Sequence, residues 1–266
     1  VIYLQVIWAI GLSMLALSAL LWLPRGLLIG LGVLLVAGHN LLDDVHFPLG
    51  HWAHVPWAVL HDRGWIEVSE GLRLRTSYPL LPWIGVISLG YAMGPWFARG
   101  SDAGQRRQRL LATAAGALGI FLLLRLLNGY GEKPWFSGDT AVQTLMSFFN
   151  ITKYPPSLLF LALTLGIGLL LLVLFERRND GRTVRWLAVF GAAPMFFYLL
   201  HLYVLKLLYL ACVAVWGSNH GQYFGFDSVL AVWIAAVLLA LALYLPVRWF
   251  ARLKARRRDI AWLKYL

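Results

Sequence analysis

The sequence predicts an all-α fold, a polytopic transmembrane helix bundle of about seven spans with its N-terminus outside and its C-terminus in the cytoplasm. Of the 266 residues 60% are hydrophobic and only 13% are charged, and the mean hydropathy is +0.70. Soluble globular domains carry about twice that share of charged residues, roughly 25%. Two further observations are apolar runs of membrane-crossing length and basic residues that concentrate in alternate connections.

The apolar runs define seven predicted spans. Each is near the length of about 20 residues that an α-helix needs to cross the hydrocarbon core, although the second is somewhat short. They are Val1–Leu23, Gly26–Asp43, Tyr78–Phe97, Leu110–Asn128, Ser157–Phe175, Trp186–Trp216 and Asp227–Trp249.

The distribution of Lys and Arg predicts the orientation. These residues concentrate in the connections after the first, third and fifth spans and in the tail 248–266, which the positive-inside rule assigns to the cytoplasm. The net charge of +11 is therefore a topology signal, and it does not indicate nucleic-acid binding. The tail, RWFARLKARRRDIAWLKYL, mixes basic and aromatic residues and is predicted to be a basic amphipathic cytoplasmic helix on the anionic inner leaflet.

Two local observations exclude some classes of protein. Cys212 is the single cysteine, so a disulfide framework or a cysteine zinc site cannot form within the chain, and we expect this residue to pack in a helix. The chain begins at Val1 inside an apolar run, without Met or a signal-peptide n-region, which predicts segments upstream of it.

Polar residues inside the predicted spans fall at one depth. His39, Asn40 and Asp43 lie near the outer end of the second span, Arg125 near that of the fourth, and His201 in the outer part of the sixth. Ionisable groups at this depth are costly and usually face a cavity or a partner, so we expect an outward-facing cavity in which Arg125 pairs with Asp43 or Asp44. The alternatives are that Arg125 and Lys206 snorkel to the headgroups and that His39 and His201 bond neighbouring carbonyls.

The two long outer segments carry further candidates. His51 and His54 can share a helical face and bind zinc or copper, but Trp52, Trp57 and Trp65 favour an interfacial, lid-like helix in Asp44–Ser77. No metal is therefore expected.

In the other outer segment, tandem prolines separate a predicted half-helix, Thr140–Phe149, from the next span, with the prolines in that span's first turn. This arrangement is expected to hold Asn150 and Lys153 over the mouth of the cavity.

Small residues four apart predict close helix packing, with chance occurrence in a Gly- and Ala-rich chain as the alternative. The pairs are Gly26/Gly30, Gly90/Gly94, Ala112/Gly116 and Ala115/Gly119.

Four ordered blocks resemble a known family. They are GHNLLD (38–43), YPLLPWIG (78–85), TKYPPS (152–157) and FFYLLHLY (196–203), and together they span nearly the whole chain. The blocks are similar to bacterial homologues of heparan-α-glucosaminide N-acetyltransferase, in a wider superfamily of transmembrane acyltransferases. The proposed catalytic histidine of that family lies in spans before the block that here begins at Val1, so it has no counterpart in this sequence.

The resemblance implies an enzyme of the bacterial cytoplasmic (inner) membrane. It would take acetyl from acetyl-CoA at the cytoplasmic face and transfer it to an amine or hydroxyl, typically on a sugar, at the outer face. Residues 1–247 would form the acyltransferase-like domain, with 248–266 as the tail. Expected partners are membrane lipids, acetyl-CoA, a sugar-type acceptor, and other membrane subunits or further copies of the chain, but no nucleic acid.

Acyl transfer needs a base and donors for the developing oxyanion, which selects the candidate residues. The catalytic candidates are His201, His39, Asn40, Asp43 and Lys153, and the substrate-binding candidates are Arg125, Asn150, Ser157 and Tyr198. The CoA phosphates would bind Arg99, Arg106, Arg107 and Arg109, although the positive-inside bias predicts the same arginines without a ligand. Two alternative functions are a non-catalytic membrane subunit of a larger complex and a transporter or sugar-export component.

Overall fold

A computed structural model of the chain describes residues 1–178, 181–257 and 259–265, and it is mostly helical, at 67%. In chain order its helices and strands are β1 (Ile2–Leu4), α1 (Val6–Leu20), α2 (Arg25–Gly38), α3 (His54–Leu60), β2 (Trp65–Ser69), β3 (Leu72–Thr76), α4 (Leu81–Ala92), α5 (Ala103–Leu127), α6 (Ala141–Phe149), α7 (Leu158–Arg177), α8 (Arg182–Ala192), α9 (Pro194–Trp216) and α10 (Val229–Arg256). The chain forms two compact units, Val1–Leu174 and Phe175–Leu266.

Within the described residues, five helical segments are long and apolar enough to cross a membrane. They are Arg25–Leu42, Ala103–Leu127, Leu158–Arg177, Pro194–Trp216 and Val229–Arg256. The predicted helical, membrane-compatible character is confirmed, and it fits an integral membrane protein. The first and third predicted spans contain shorter apolar helices, α1 with 15 residues and α4 with 12, so the count of seven stays a prediction.

A three-stranded sheet in the first unit corrects the expectation of helices alone. Strand β3 lies in the middle, parallel to β1 and antiparallel to β2, with Ile2 opposite Leu74. The sequence pattern places β1 in the first predicted span, and β2 and β3 in the segment predicted to form a lid-like helix. The alternation of leucine and arginine through 72–75, after a turn at Gly71 with φ +85°, is typical of a strand that exposes one face.

The predicted half-helix is confirmed as α6, because its N-terminus carries a capping box. Thr140 Oγ1 accepts from the backbone N–H of Gln143, and Gln143 Oε1 accepts from the backbone N–H of Thr140, both at 3.2 Å. The position predicted for the tandem prolines is wrong by about one turn. Helix α7 begins at Leu158, and Ser157 Oγ accepts from the N–H of Phe160 at 3.0 Å, so the prolines precede the capping residue.

Two glycines allow α2 and α4 to pack closely in the first unit. A Cβ added at Gly85 on α4 would lie 2.8 Å from Val36 Cγ2 and 2.9 Å from the Gly32 carbonyl oxygen on α2. The glycines of the predicted small-residue pairs differ: a Cβ added at any of them would have no heavy atom of the described residues within 4 Å. The principle of small residues at close crossings holds here, but the predicted positions are wrong.

The sixth predicted span is two helices in the second unit. Ala193 leaves helical geometry, with φ −141° and ψ 61°, and Pro194 opens α9. Proline cannot continue the hydrogen-bond ladder of α8, but its fixed φ suits the first turn of a new helix.

The predicted tail differs from a separate amphipathic helix. Residues 248–256 continue α10 without a break, and a 3₁₀ turn follows at Ala261–Tyr265. Phe196 and Phe250 stack with ring centroids 4.0 Å apart, and Phe250 forms a small buried core with Ala193 and Leu263. Residues 258 and 266 of the tail lie outside the described residues.

Candidate functional site

The first unit contains a cavity of about 550 Å³ beside the ends of α2 and α7. This volume is in the range of small-molecule binding sites, about 300–1,000 Å³. Its polar lining residues are Asn40, Asp43, His46, His54, His61, Asp62, Arg63, Glu132, Lys133, Thr152, Tyr154 and Ser157. Of the residues that the sequence predicted, the cavity therefore brings together Asn40, Asp43 and Ser157.

The end of α2 is tied to the TKYPPS segment by two side chains. His39 is 3% exposed; its Nε2 lies 2.9 Å from the Pro156 carbonyl oxygen, and its Nδ1 lies 3.0 Å from that of Val36. Asn40 Oδ1 accepts from the N–H of Leu158 at 2.9 Å, which satisfies one of the free donors at the start of α7. Both ring nitrogens of His39 thus face carbonyl oxygens, the structural arrangement that the sequence left open as an alternative.

Glu132 organises the loops that form the opposite wall, and sequence reasoning missed it. Its carboxylate accepts from Thr152 Oγ1 and Ser157 Oγ, each at 2.7 Å, and from the backbone N–H groups of Lys133 and Thr152. The two hydroxyl partners lie 20 and 25 residues further along the chain. A lone Glu beside Lys133 offers no spacing pattern from which these long-range partners could be predicted.

A carboxylate joins two histidines at the rim of the cavity. Asp62 Oδ2 accepts from His46 Nδ1 at 3.0 Å, while Asp62 Oδ1 lies 3.5 Å from His61 Nδ1. The hydrogen bond and the charge of Asp62 raise the pKa of His46. Within the described residues His46 Nε2 has no hydrogen-bond partner, and its side chain is 68% exposed. Asp62 therefore orients an imidazole whose second nitrogen is accessible.

His61 is buried, and its two ring nitrogens face different groups of the site. Its side chain is 1% exposed, and its Nε2 lies 2.9 Å from the His39 carbonyl oxygen and 3.4 Å from Asp43 Oδ1. Asp43 also accepts from Asn40 Nδ2 at 2.8 Å. The expected ion pair between Arg125 and Asp43 or Asp44 is not formed among the described residues.

Tyr154 lies on the cavity wall between two cations. Its hydroxyl oxygen is 3.0 Å from that of Tyr78, while Arg63 and Lys153 lie 5.5 and 5.1 Å from its ring centroid. The hydrogen bond with Tyr78, followed by the positive charges of Lys153 and Arg63, lowers the pKa of Tyr154. Lys153 itself is exposed and contacts the ring of Tyr154. The arrangement makes the Tyr154 phenol a good proton donor toward negative charge.

Arg125 is 2% exposed and holds backbone carbonyl groups, most of them at the C-terminal end of α6. Its guanidinium donates to the carbonyl oxygens of Phe148 (2.6 Å), Ser147 (2.8 Å), Lys133 (2.9 Å) and Asn150 (3.2 Å). Helix C-termini leave such carbonyls without partners in the helix, and a cation there is favourable. Asn150 contributes a backbone carbonyl oxygen to this cluster, and substrate binding by either residue stays a prediction.

His201 and Tyr198 lie on α9 in the second unit. His201 Nδ1 is 3.1 Å from the Phe197 carbonyl oxygen, and the ring stacks on Phe197 and meets Tyr198 edge-on, both at 5.4 Å. The catalytic role of His201 and the substrate role of Tyr198 stay predictions.

The four arginines predicted to bind CoA lie at the start of α5. Arg106 Nη1 donates to Ser101 Oγ at 3.0 Å, and Arg107 Nε donates to the Ala103 carbonyl oxygen at 3.1 Å. Arg99 and Arg109 are exposed. Binding of the coenzyme by this group stays a prediction.

The two histidines considered for zinc or copper are engaged by the main chain. His54 Nδ1 and Nε2 lie 2.8 and 3.0 Å from the carbonyl oxygens of Phe47 and Trp65, contacts that raise its pKa. His51 Nδ1 accepts from the N–H of Ala53 at 3.1 Å. The described part of the chain holds no cluster of three or more His, Cys, Asp or Glu residues suited to a metal ion.

Comparison with known proteins identifies a family for the N-terminal part of the chain. Residues 1–124 match the family model described as heparan-alpha-glucosaminide N-acetyltransferase, catalytic. No curated protein and no solved structure matches the chain. The matched region includes the GHNLLD and YPLLPWIG blocks and five cavity-lining histidines and aspartates, among them His46 and Asp62. Residues 1–124 are therefore similar to the catalytic region of the heparan-alpha-glucosaminide N-acetyltransferases.

Proposed function

We propose that the chain is an integral-membrane acyltransferase that transfers acetyl from cytoplasmic acetyl-CoA to an amine or hydroxyl, of a sugar-type acceptor, at the outer face. The observation that carries the proposal is the cavity in which the His46–Asp62 pair and Tyr154 meet. Much of the cavity lining lies in the region that matches the acetyltransferase family.

The His46–Asp62 pair has the arrangement of a general base. Asp62 holds Nδ1, which fixes the tautomer that leaves Nε2 free to accept a proton. The thioester end of acetyl-CoA is proposed to reach this cavity from the cytoplasmic face. As the acceptor nitrogen or oxygen attacks the thioester carbonyl, its proton passes to His46 Nε2. The carbon–sulfur bond then breaks, and the departing CoA thiolate takes that proton from His46 and leaves as the thiol, which returns His46 to its neutral form.

Tyr154 is proposed to stabilise the oxyanion that develops on the thioester carbonyl. A hydrogen-bond donor aimed at this oxygen lowers the barrier because the negative charge exists only in the transition state and intermediate. The neighbouring Arg63 and Lys153 make the phenol more acidic and so strengthen that hydrogen bond.

The remaining polar groups are proposed to position the acceptor. Asp43, Glu132 and Ser157 line the cavity and are proposed as hydrogen-bonding groups for sugar hydroxyls or an amine. Arg125 acts indirectly, because it fixes the backbone around Asn150 that leads into the TKYPPS segment.

His201, which the sequence predicted as catalytic, is a second proposed base. Its neighbour Tyr198 is proposed to bind the substrate. His39, whose ring nitrogens both face carbonyl oxygens, stays a further proposed catalytic residue. For the donor, we propose that Arg99, Arg106, Arg107 and Arg109 meet the CoA phosphates, with the protein in the bacterial cytoplasmic membrane.

The test compares three histidine variants in detergent-purified protein with labelled acetyl-CoA and glucosamine as the probe acceptor. We expect His46→Gln to lower kcat by roughly 100-fold or more, as loss of a general base does. His220→Gln is the matched control, because His220 pairs with Asp227 at 3.1 Å in the second unit and does not line the cavity. His201→Gln is the third variant.

The possible results separate the hypotheses. A loss of activity with His201→Gln alone moves the role of base from His46 to His201. Full activity in both variants removes histidine base catalysis from the proposal.

A non-catalytic membrane subunit is the alternative, and one observation favours it. Within the described part of the chain α9 buries none of its residues, so its apolar surface is available to lipid or to another membrane protein. Stoichiometric co-purification with a membrane complex, together with no acetyl transfer by the wild-type protein, would support this alternative and remove the first.

A further inference from the structure

The second unit contains a concave basic site between α8 and α10. The cavity has a volume of about 380 Å³ and is lined by Arg182, Arg185, Trp186, Val189, Tyr244 and Arg248. Arg182 and Arg185 are three residues apart, so they lie on neighbouring positions of one helix face. Arg248 approaches from α10 at the point where its apolar sequence gives way to basic residues. We call this cavity the arginine pocket.

Within the described part of the chain the three arginines have no bonded acidic partner. All three are exposed, and among residues 1–178, 181–257 and 259–265 none of them forms a hydrogen bond or an ion pair. Like charges gathered in one concavity repel one another, and the repulsion is relieved when an anion binds between them. The enrichment of Lys and Arg in cytoplasmic loops explains why arginines are present here. It does not explain why three of them line one pocket.

Aromatic rings fix the geometry of the arginine pocket. Trp186 and Tyr244 stack with ring centroids 5.1 Å apart and an interplanar angle of 17°, and Phe190 contacts both. This packing of half-buried rings joins α8 to α10 directly beside the arginines and so fixes their Cα positions. Trp and Tyr are also the residue types that lie at the level of lipid headgroups.

We propose that the arginine pocket binds the phosphate of an anionic phospholipid. A guanidinium group binds phosphate oxygens through two parallel hydrogen bonds. Three arginines around one pocket, with no carboxylate among its lining residues, can donate such bonds to a phosphate from several sides. The neighbouring Trp–Tyr pair and the apolar part of α10 provide the surface along which the glycerol and acyl chains of the lipid lie. A soluble phosphate compound offers the same charged group without the apolar part, so the two sources can be separated by experiment.

The experiment uses the purified full chain in nanodiscs of phosphatidylcholine with increasing phosphatidylglycerol, and the readout is thermal unfolding. The test variant is Arg182→Gln/Arg185→Gln/Arg248→Gln. The control variant, Arg252→Gln/Lys254→Gln/Arg256→Gln, removes the same amount of charge from the C-terminal end of α10, outside the pocket. Inorganic pyrophosphate and CoA, added to phosphatidylcholine nanodiscs, are the soluble probes.

We expect phosphatidylglycerol to raise the Tm of the wild type and of the control variant. Loss of charge-assisted hydrogen bonds should raise the half-saturating lipid fraction of the test variant by about tenfold. Equal responses of the two variants, or no response in the wild type, would overturn the proposal. Stabilisation by pyrophosphate or CoA that depends on the three arginines, without a phosphatidylglycerol effect, would overturn the lipid source and retain the phosphate site.

A single variant guards against misfolding of the triple variant. Arg185→Gln changes one exposed side chain, and we expect it to weaken the lipid effect by a smaller factor in the same direction. An unchanged lipid response in Arg185→Gln and in the corresponding Arg248→Gln also counts against the pocket.

Discussion

Two buried polar side chains in the first unit, Arg125 and His39, contact main-chain oxygen atoms rather than opposite charges. Arg125 donates to four carbonyl oxygens, and His39 faces carbonyls with both ring nitrogens. A sequence specifies which side chains are present, but every residue offers a carbonyl. Pairing Arg125 with Asp43 was therefore the natural prediction from residue types, and only the folded backbone reveals the partners that Arg125 uses.

The titration of His46 gives a test at the residue scale. Its pKa is raised above the ordinary 6.5 by Asp62, with Asp44 and Asp43 adding to the effect. Because the folded pKa is the higher one, the stabilisation is complete below pH 6.5 and is lost as the pH rises through the folded value. We expect Asp62→Asn to lower the pKa of His46, measured by NMR of ¹³C-labelled histidine.

Asp227→Asn is the control for this titration, because it removes the carboxylate beside His220 and leaves Asp62 in place. A His46 resonance that titrates at the same pH in Asp62→Asn and in the wild type would contradict the assigned cause.

The close contact of α2 and α4 gives a test at the scale of elements. Gly85→Ala inserts a methyl group within 3 Å of Val36 Cγ2 and of the Gly32 carbonyl oxygen, and overpacking of this kind costs about 1–3 kcal/mol. Gly30→Ala on α2 meets open space, and replacing a helical glycine there adds up to about 1 kcal/mol of stability. We expect the free energy of unfolding to fall for Gly85→Ala and to hold or rise for Gly30→Ala, and two changes of the same sign would refute the contact.

Elements with a local signature could be predicted from the sequence, and elements that depend on distant partners could not. The half-helix that became α6 has its capping box at Thr140 and Gln143, three residues apart. The pairing of β1 with β3 joins segments far apart in the chain, and β1 is too short and apolar to differ from a helix start. The break at Ala193 has a local signal, Pro194, although the apolar run around it predicts one continuous span.

The candidate site was predictable to a similar degree. The common depth of polar residues predicted that His39, Asn40, Asp43, Arg125 and His201 face one cavity, and of these Asn40 and Asp43 line it. The pairing of Asp62 with His46 and that of Glu132 with Ser157 were missed because these partners lie 16 or more residues apart, where no helical or strand periodicity applies.

The orientation in the membrane gives a test for the whole molecule. In a Cys212→Ala background, one cysteine is introduced at a time, at Ser137 or at Gln105, both of which are exposed. The positive-inside rule predicts that an impermeant maleimide added to intact cells labels the Ser137→Cys protein and leaves Gln105→Cys unlabelled until the cells are opened. The reverse pattern would invert the proposed topology, and with it the side on which the cavity opens.

The parallel pairing of β1 with β3 has a consequence for the order in which the protein folds during synthesis. Ile2 pairs with Leu74, so this part of the sheet cannot form until α1, α2 and the segment Asp44–Ser77 have left the ribosome. Contacts of such long separation form late because the intervening chain must first lose its freedom. The cavity rim that carries His46 and Asp62 lies within this loop of chain, so it reaches its final geometry only after both early helices have been synthesised.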